Sequence, residues 1–318
     1  MPQFFCLSAD GNYGETIIMS EKLPITAVLD TDTYNEIDDQ FALSYALLAR
    51  EAVDLRAVIA APFSNFRAAT PGEGMHKSYD EIRRILALFG RPAENFAWRG
   101  STSYLPDRNT PVESEGARRI VELAREARAA GRKLHVLAIA AITNVASALL
   151  LAPEIAQDIV IVWLGGHETD HEDNNEFNLR QDVAAAQVVF DSAARLVWIP
   201  CRNVASALEM TLAELRPAIA PAGKLGDFLY GRTEELINLR KIPAKIIWDI
   251  STVAYFSAPE ACKTQIIPAP VLNDDKSWSS APGRKEITVV RSLDRDAVFR
   301  DLFRKLARFD AEKTSSGC

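Results

Sequence analysis

The chain has 318 residues, 48% hydrophobic and 25% charged, which supplies an ample core for one large or two small globular domains. A net charge of −7 argues against a general nucleic-acid or anionic-membrane surface, and no apolar run approaches membrane-spanning length. Cys6, Cys201, Cys262 and Cys318 show no CxxC spacing, so they point to neither a zinc site nor a disulfide framework and fit a reducing cytoplasm.

Residues 1–20 lack periodicity and the basic and apolar regions of a secretory signal, so they read as a flexible tail, with Met1 or Met19 as the start. The apolar run at 25–29 reads as a short buried strand. Beyond it Ile37, Phe41, Tyr45 and Leu48 recur at helical spacing. A strand at 55–61 follows, then a helix carrying Tyr79, Ile82, Ile85, Leu86 and Phe89, stopped by Gly90 and Pro92. Residues 113–130 form an amphipathic pattern with Ile120, Leu123 and Ala127 on one face and Gly131 at its end. Its arginines, Arg118, Arg119, Arg125 and Arg128, alternate with acids and read as surface pairing.

A strand at 134–140, a helix at 143–151 and a strand at 159–164 continue the alternation, the last ending at Gly165 and Gly166. A helix at 183–194 and a strand at 196–199 come next, then helices at 212–219 and 226–239 and one beginning near Asp249. Strands at 265–272 and 286–290 and a helix at 296–309 close the pattern, before a disordered tail at 313–318. Strands alternating with helices imply an α/β domain over 21–312: a mostly parallel open sheet with helices on both faces, Rossmann-like.

The densest chemistry lies where the first of these strands ends. Asp30, Asp32, Asp38 and Asp39 fall within ten residues, the first two at the strand end and the last two in the first turn of the helix. One such pair is well explained by the helix dipole or by loop amides. Two pairs flanking one turn are not, because four like charges so close need protons or a cation among them. A hard divalent ion with oxygen ligands resolves this most cheaply, at the strand end where parallel sheets bind ligands. The loops after the other strands converge on the same edge. They carry Ser64 and Asn65, Thr143 and Asn144, the polar run 167–178, and Asp249 after Ile246, Ile247 and Trp248. Such a set suits a polyhydroxylated ligand held around a calcium-like ion.

At these residues the chain resembles the calcium-dependent nucleoside hydrolases. The likeness rests on Asp30-x-Asp32 with Asp38-Asp39, on LAIAAITNVASAL, on GGHETDHEDNNEFN and on WDISTVAYFSAPE, in the family's order from about 25 to 260. The resemblance implies hydrolysis of a nucleoside N-glycosidic bond, with calcium as cofactor, a small-molecule substrate and a homodimer or homotetramer. It implies that Asp32 is the general base and a metal ligand, with Asp39, Asp249 and the Thr143 carbonyl completing the metal's protein ligands. Asp38, Asn65, Glu176 and Asn178 match the groups that hold the ribose hydroxyls, Asn174 serves the 5′ end, and Asp30 stands behind the site.

Three departures are visible. Residues 33–37 separate the two aspartate pairs, two more than is common, so the turn must bulge. Trp248 stands where some members carry a histidine that protonates the leaving base, and in this it is similar to purine-preferring members. The loop between Gly166 and Glu176 departs from the usual residues. Trp248 suits a core position and a base-stacking platform equally. His167 and His171 are candidate acids, although a histidine in an exposed loop is usually only solvated. An aspartyl-phosphate phosphotransferase also begins with D-x-D after a strand, but an Asp38–Asp39 pair repels phosphate. A non-catalytic nucleoside or ribose sensor would show the same binding residues, and hydrolysis of another N-ribosyl compound is a further alternative.

Overall fold

The computed structural model describes residues 5–7, 13–15 and 24–315, with side chains described over 24–309. From the amino end the elements run β1 (Phe5–Leu7), β2 (Tyr13–Glu15), β3 (Ile25–Thr31), α1 (Asp38–Leu48), β4 (Val53–Ala60), α2 (Pro71–Leu88) and β5 (Ala97–Arg99). The middle holds α3 (Glu115–Ala129), β6 (Leu134–Ala138), α4 (Thr143–Leu151), β7 (Ile159–Leu164), α5 (Phe177–Gln181), α6 (Val183–Asp191) and β8 (Arg195–Ile199). Then come β9 (Glu209–Met210), α7 (Leu212–Ile219), α8 (Gly223–Arg240), β10 (Lys245–Ile246) and α9 (Ile250–Ser257). The last stretch is β11 (Cys262–Pro268), β12 (Val271–Leu272), β13 (Trp278–Ser279), β14 (Glu286–Leu293) and α10 (Arg295–Ser315).

Ten strands make one sheet in the order β2-β1-β11-β14-β8-β7-β6-β3-β4-β5. From β14 to β5 every neighbouring pair is parallel, and β11 runs antiparallel to β14. Helices cover both faces, so β6 and β7 are buried at every residue; β7 reads in sequence as an unbroken apolar block, and β6 is apolar apart from His135. Two hydrophobic clusters fill the faces, one built on Leu29, Phe41 and Val253, the other on Val28, Ile120 and Trp163. The helices follow from local signals. Ser114 caps α3 by accepting the Ala117 N–H, Ile120, Leu123 and Ala127 form its buried face, and Gly131 leaves it at φ +66°.

The expected α/β architecture is therefore present, with differences at its margins. Within the stretch read as a tail, β1 and β2 form an antiparallel pair, and β1 lies parallel to β11. They cover backbone groups that β11 would otherwise leave at an open edge. The other residues of 1–20 lie outside the described ones. The strand expected at 265–272 instead ends at Pro268, and β12 pairs with β13 as a separate hairpin. The helix α10 reaches Ser315, into the expected tail, and residues 316–318 lie outside the described ones. No helix of the described residues is long and apolar enough to cross a membrane.

β3 is the position from which the sheet grows both ways, with β4 and β5 on one side and β6, β7 and β8 on the other. Crossovers on opposite sides leave a crevice beyond the carboxyl ends of β3 and β6, and the aspartates stand there.

Candidate active site

Asp32 and Asp39 are each 1% exposed, and Asp38 and Asp249 each 4%. Asp38, Asp39 and Asp249 offer carboxylate oxygens that all lie within 4.8 Å of one another. Asp39 is tied down by the Thr31 hydroxyl, which donates to its Oδ1 at 2.6 Å, and it shares hydrogen bonds with Asp32 and Asp249. Asp32 Oδ2 is buried and has no partner at all. Burial, reinforced by the neighbouring carboxylates, holds Asp32 and Asp249 well above the ordinary range and Asp39 at about 7. These are the marks of a set of oxygens arranged for a cation. The carboxylates that come together are Asp38, Asp39 and Asp249, with Asp32 joined to them by its hydrogen bond to Asp39, and this all-oxygen donor set has the chemistry that suits a hard divalent ion.

Asp30 sits behind this floor, fully buried, accepting from Asn144 Nδ2 at 2.8 Å. Burial lifts its pKa to about 7 against that hydrogen bond. Asn144 in turn accepts from the Ser101 amide and hydroxyl, so the side chain behind the strand end is fixed from both sides.

The longer turn at 33–37 has a structural consequence that the sequence pattern does not display. It delivers Glu36 to Lys245, whose Nζ lies 2.7 Å from Glu36 Oε2 and 3.0 Å from Asp38 Oδ1. Arg240 also pairs with Glu36. Burial works against the charge of Lys245, but Asp38 and Glu36 outweigh it and raise its pKa. A lone lysine in the apolar run before Trp248 was the available signal for this contact. Replacing Lys245 by Met removes the cation between the buried Asp38 and the half-buried Glu36. The expected result is a loss of about 3 kcal/mol in urea unfolding of metal-free protein. Adding Glu36→Gln to that variant should recover part of it, and an unchanged midpoint in the single variant would show that the contact contributes nothing.

The loop after β7 closes one wall. Gly166 takes φ +71°, and a Cβ there would meet Leu179 Cδ1 at 3.0 Å and Asn174 Oδ1 at 3.2 Å. The Glu176 carboxylate accepts the amides of Gly166, Asn178 and Leu179, capping α5 and binding the loop to it. Asn178 donates Nδ2 to the Leu164 carbonyl at 3.0 Å, which leaves its Oδ1 as an acceptor. Asn65 is positioned by Asn35, whose Oδ1 accepts from its Nδ2 at 2.7 Å.

These groups surround a cavity of about 550 Å³. Asp32, Asp38, Asp39, Asn65, Glu176, Asn178, Trp248 and Asp249 are all among its walls. Asp30, Thr143 and Asn174 are not. Thr143 is fully buried at the start of α4, with its hydroxyl donated to Asp182 at 2.7 Å. The Asn174 side chain is used within the protein, accepting from the His167 amide and donating to the Lys276 carbonyl. Trp248 is half-buried, packed on the core from one side and lining the cavity on the other. Phe66, 67% exposed, stands at the rim, and His167 and Cys201 add to the walls. Phe66 and Cys201 carry no sequence pattern that marks them as part of a site, whereas His167 is already a candidate acid in the sequence.

The sequence profile described as inosine-uridine preferring nucleoside hydrolase matches residues 27–300. A protein of Arabidopsis thaliana described as probable uridine nucleosidase 2 is 28% identical over 162 residues, covering 49% of this chain and 48% of that protein. The match thus spans about half the length of that relative. The purine-preferring ribonucleoside hydrolase of Gardnerella vaginalis superposes with a TM-score of 0.69 at 19% identity, over 90% of this chain and 99% of its own. The inosine-uridine preferring nucleoside hydrolase of Bacillus anthracis superposes with a TM-score of 0.67, also at 19% identity, over 89% and 99%. At such identities the superpositions speak for the fold, and the profile match over most of the length speaks for descent. The chain belongs to the inosine-uridine preferring nucleoside hydrolase family.

Proposed function

We propose that the protein hydrolyses the N-glycosidic bond of ribonucleosides, purine nucleosides preferentially, with calcium held by the buried aspartates. The observation that carries this reading is Asp32 Oδ2, a buried carboxylate oxygen without a partner on a residue that lines the cavity among like charges. Calcium, which Asp32, Asp39 and Asp249 would hold, would supply the charge that acidifies water and attracts the sugar hydroxyls. Asp32 takes the proton of the attacking water. Asp38, Asn65 and Asn178 Oδ1 accept from or orient the sugar hydroxyls. Glu176 keeps acceptor capacity beyond its three amides, since each carboxylate oxygen has two lone pairs. Developing positive charge on the sugar ring, as in other glycoside cleavages, is stabilised by the carboxylates beneath it.

The departing base receives less help from histidine. His167 lines the cavity, but burial and its neighbour His171 push its pKa down to about 4, so at neutral pH it has no proton to give. Trp248 supports a purine instead: a protonated base over an indole face gains about 1–2 kcal/mol when desolvated.

The test is release of reducing sugar from inosine, adenosine, guanosine, uridine and cytidine, abolished by chelation and restored by calcium. Tight binding of one nucleoside with release from none would make the protein a nucleoside-binding protein. In the same assay Trp248→Ala is expected to lower kcat/KM for purine nucleosides about tenfold, consistent with losing about 1–2 kcal/mol, and to spare pyrimidine nucleosides. Equal losses on both classes would remove the stacking argument.

A further inference from the structure

The loop after Gly166 carries a second cluster of ligating side chains, apart from the aspartate floor. His167, His171 and Asp173 each offer one ligand atom, and the three atoms lie within 4.8 Å of one another. The imidazole centroids of His167 and His171 are 4.7 Å apart. His167 is buried, and its Nδ1 has no hydrogen-bond partner. Buried polar atoms are nearly always satisfied, so an orphaned nitrogen on an imidazole grouped with two other ligating side chains points to a missing partner.

The other two residues add to this. His171 Nδ1 lies 2.9 Å from the Asp173 carbonyl oxygen. When Nδ1–H donates there, Nε2 carries the lone pair, the arrangement by which backbone carbonyls orient metal-bound histidines. The Asp173 carboxylate accepts the Asn175 amide at Oδ1, 2.9 Å away, which fixes its orientation in the loop. Arg202 is a positive neighbour of His167 and opposes a cation, and the Asp173 carboxylate offsets it.

We propose that His167, His171 and Asp173 form a three-ligand site for a zinc-class divalent ion, separate from the hard-cation site of Asp32, Asp39 and Asp249. Two imidazoles and a carboxylate suit zinc, whereas an all-carboxylate set suits calcium, so the two sites select different ions. Three protein ligands leave a fourth position for water or ligand. The site is also coupled to the cavity. His167 forms part of the wall, its amide donates to Asn174 Oδ1 at 2.6 Å, and the adjacent Gly166 amide donates to Glu176. An ion on His167 and His171 therefore stiffens the loop that holds Glu176, a consequence that rests on the hydrolase reading while the site itself does not.

The experiment uses untagged full-length protein saturated with calcium and titrated with Co²⁺, read by visible ligand-field absorption. One Co²⁺ per chain, displaced one for one by Zn²⁺, is expected. His171→Ala should weaken Co²⁺ binding by more than about 100-fold, since loss of even an outer partner of a metal ligand costs about 10–100-fold. Asp173→Asn should weaken it less, and both variants should keep wild-type turnover in calcium alone. Wild-type Co²⁺ affinity in His171→Ala, or no saturable absorption in the parent, overturns the site. A second readout tests the coupling: Zn²⁺ should shift KM for the nucleoside in the parent and leave His171→Ala unmoved. Binding without that shift removes the coupling and keeps the site. Absence of sugar release in every sample would count against the hydrolase reading and leave the absorption result standing.

Discussion

Asp32→Ala is expected to lower kcat on ribonucleosides by about 10²–10⁴-fold, the range that a positioned general base contributes. The same variant, free of metal, should melt at the parent's temperature or above it. Both halves follow from one fact: Asp32 is 1% exposed, and its Oδ2 makes no bond. Burial and the charges of Asp39 and Asp38 oppose its ionisation, so deleting it relieves that cost, which offsets the loss of its one hydrogen bond to Asp39. Asp32→Asn keeps the volume and cannot take a proton, and it should lose kcat to the same extent. Measurement of kcat beside a thermal melt separates the roles. Near-normal turnover in either variant would end the general-base assignment. Loss of turnover together with a melt many degrees lower would make Asp32 a structural group.

The reach of the sequence was set by how local each determinant is. The buried strands β3, β6, β7 and β8 show in the pattern because burial on both faces forces an apolar run, and α3 shows because its buried face repeats with the helix period. β5 and α5, of three and five residues, are too short to establish any period. β1 exists by pairing onto β11, more than two hundred residues away in sequence, and β2 by pairing onto β1. The site divides in the same way. Asp30, Asp32, Asp38 and Asp39 are visible as a cluster because one strand-to-helix turn carries them all. The Glu36–Lys245–Asp38 contact joins the turn after β3 to β10, so the local pattern shows a lone lysine and not its partners. Asn174 has the composition of a ligand-binding side chain, yet its hydrogen bonds go to His167 and Lys276, a partition that residue type alone does not decide.

Calcium is expected to raise the melting temperature by several degrees at pH 8 and by little at pH 5. The sign comes from the protons. Asp30 and Asp39 move from an ordinary value of 3.8 to about 7 in the folded protein, chiefly through burial. Between those values the folded state holds more protons than the unfolded one. Metal-free stability therefore falls as pH rises through that window, by up to about 1.4 kcal/mol per pH unit for each such group. Below pH 4 both states are protonated and the penalty is absent; above pH 7 it is complete. Asp32 and Asp249 are raised by the same causes and add in the same direction. A divalent ion must displace the protons on Asp39, Asp32 and Asp249, so its affinity rises with pH across the same window. At a concentration 100 times its Kd the ion adds about 2.7 kcal/mol, enough for a shift of several degrees. Asp39→Asn should abolish the shift at pH 8. A shift of equal size at pH 5 and pH 8 would mean that calcium binds without displacing those protons, and the buried aspartates would then not be its site.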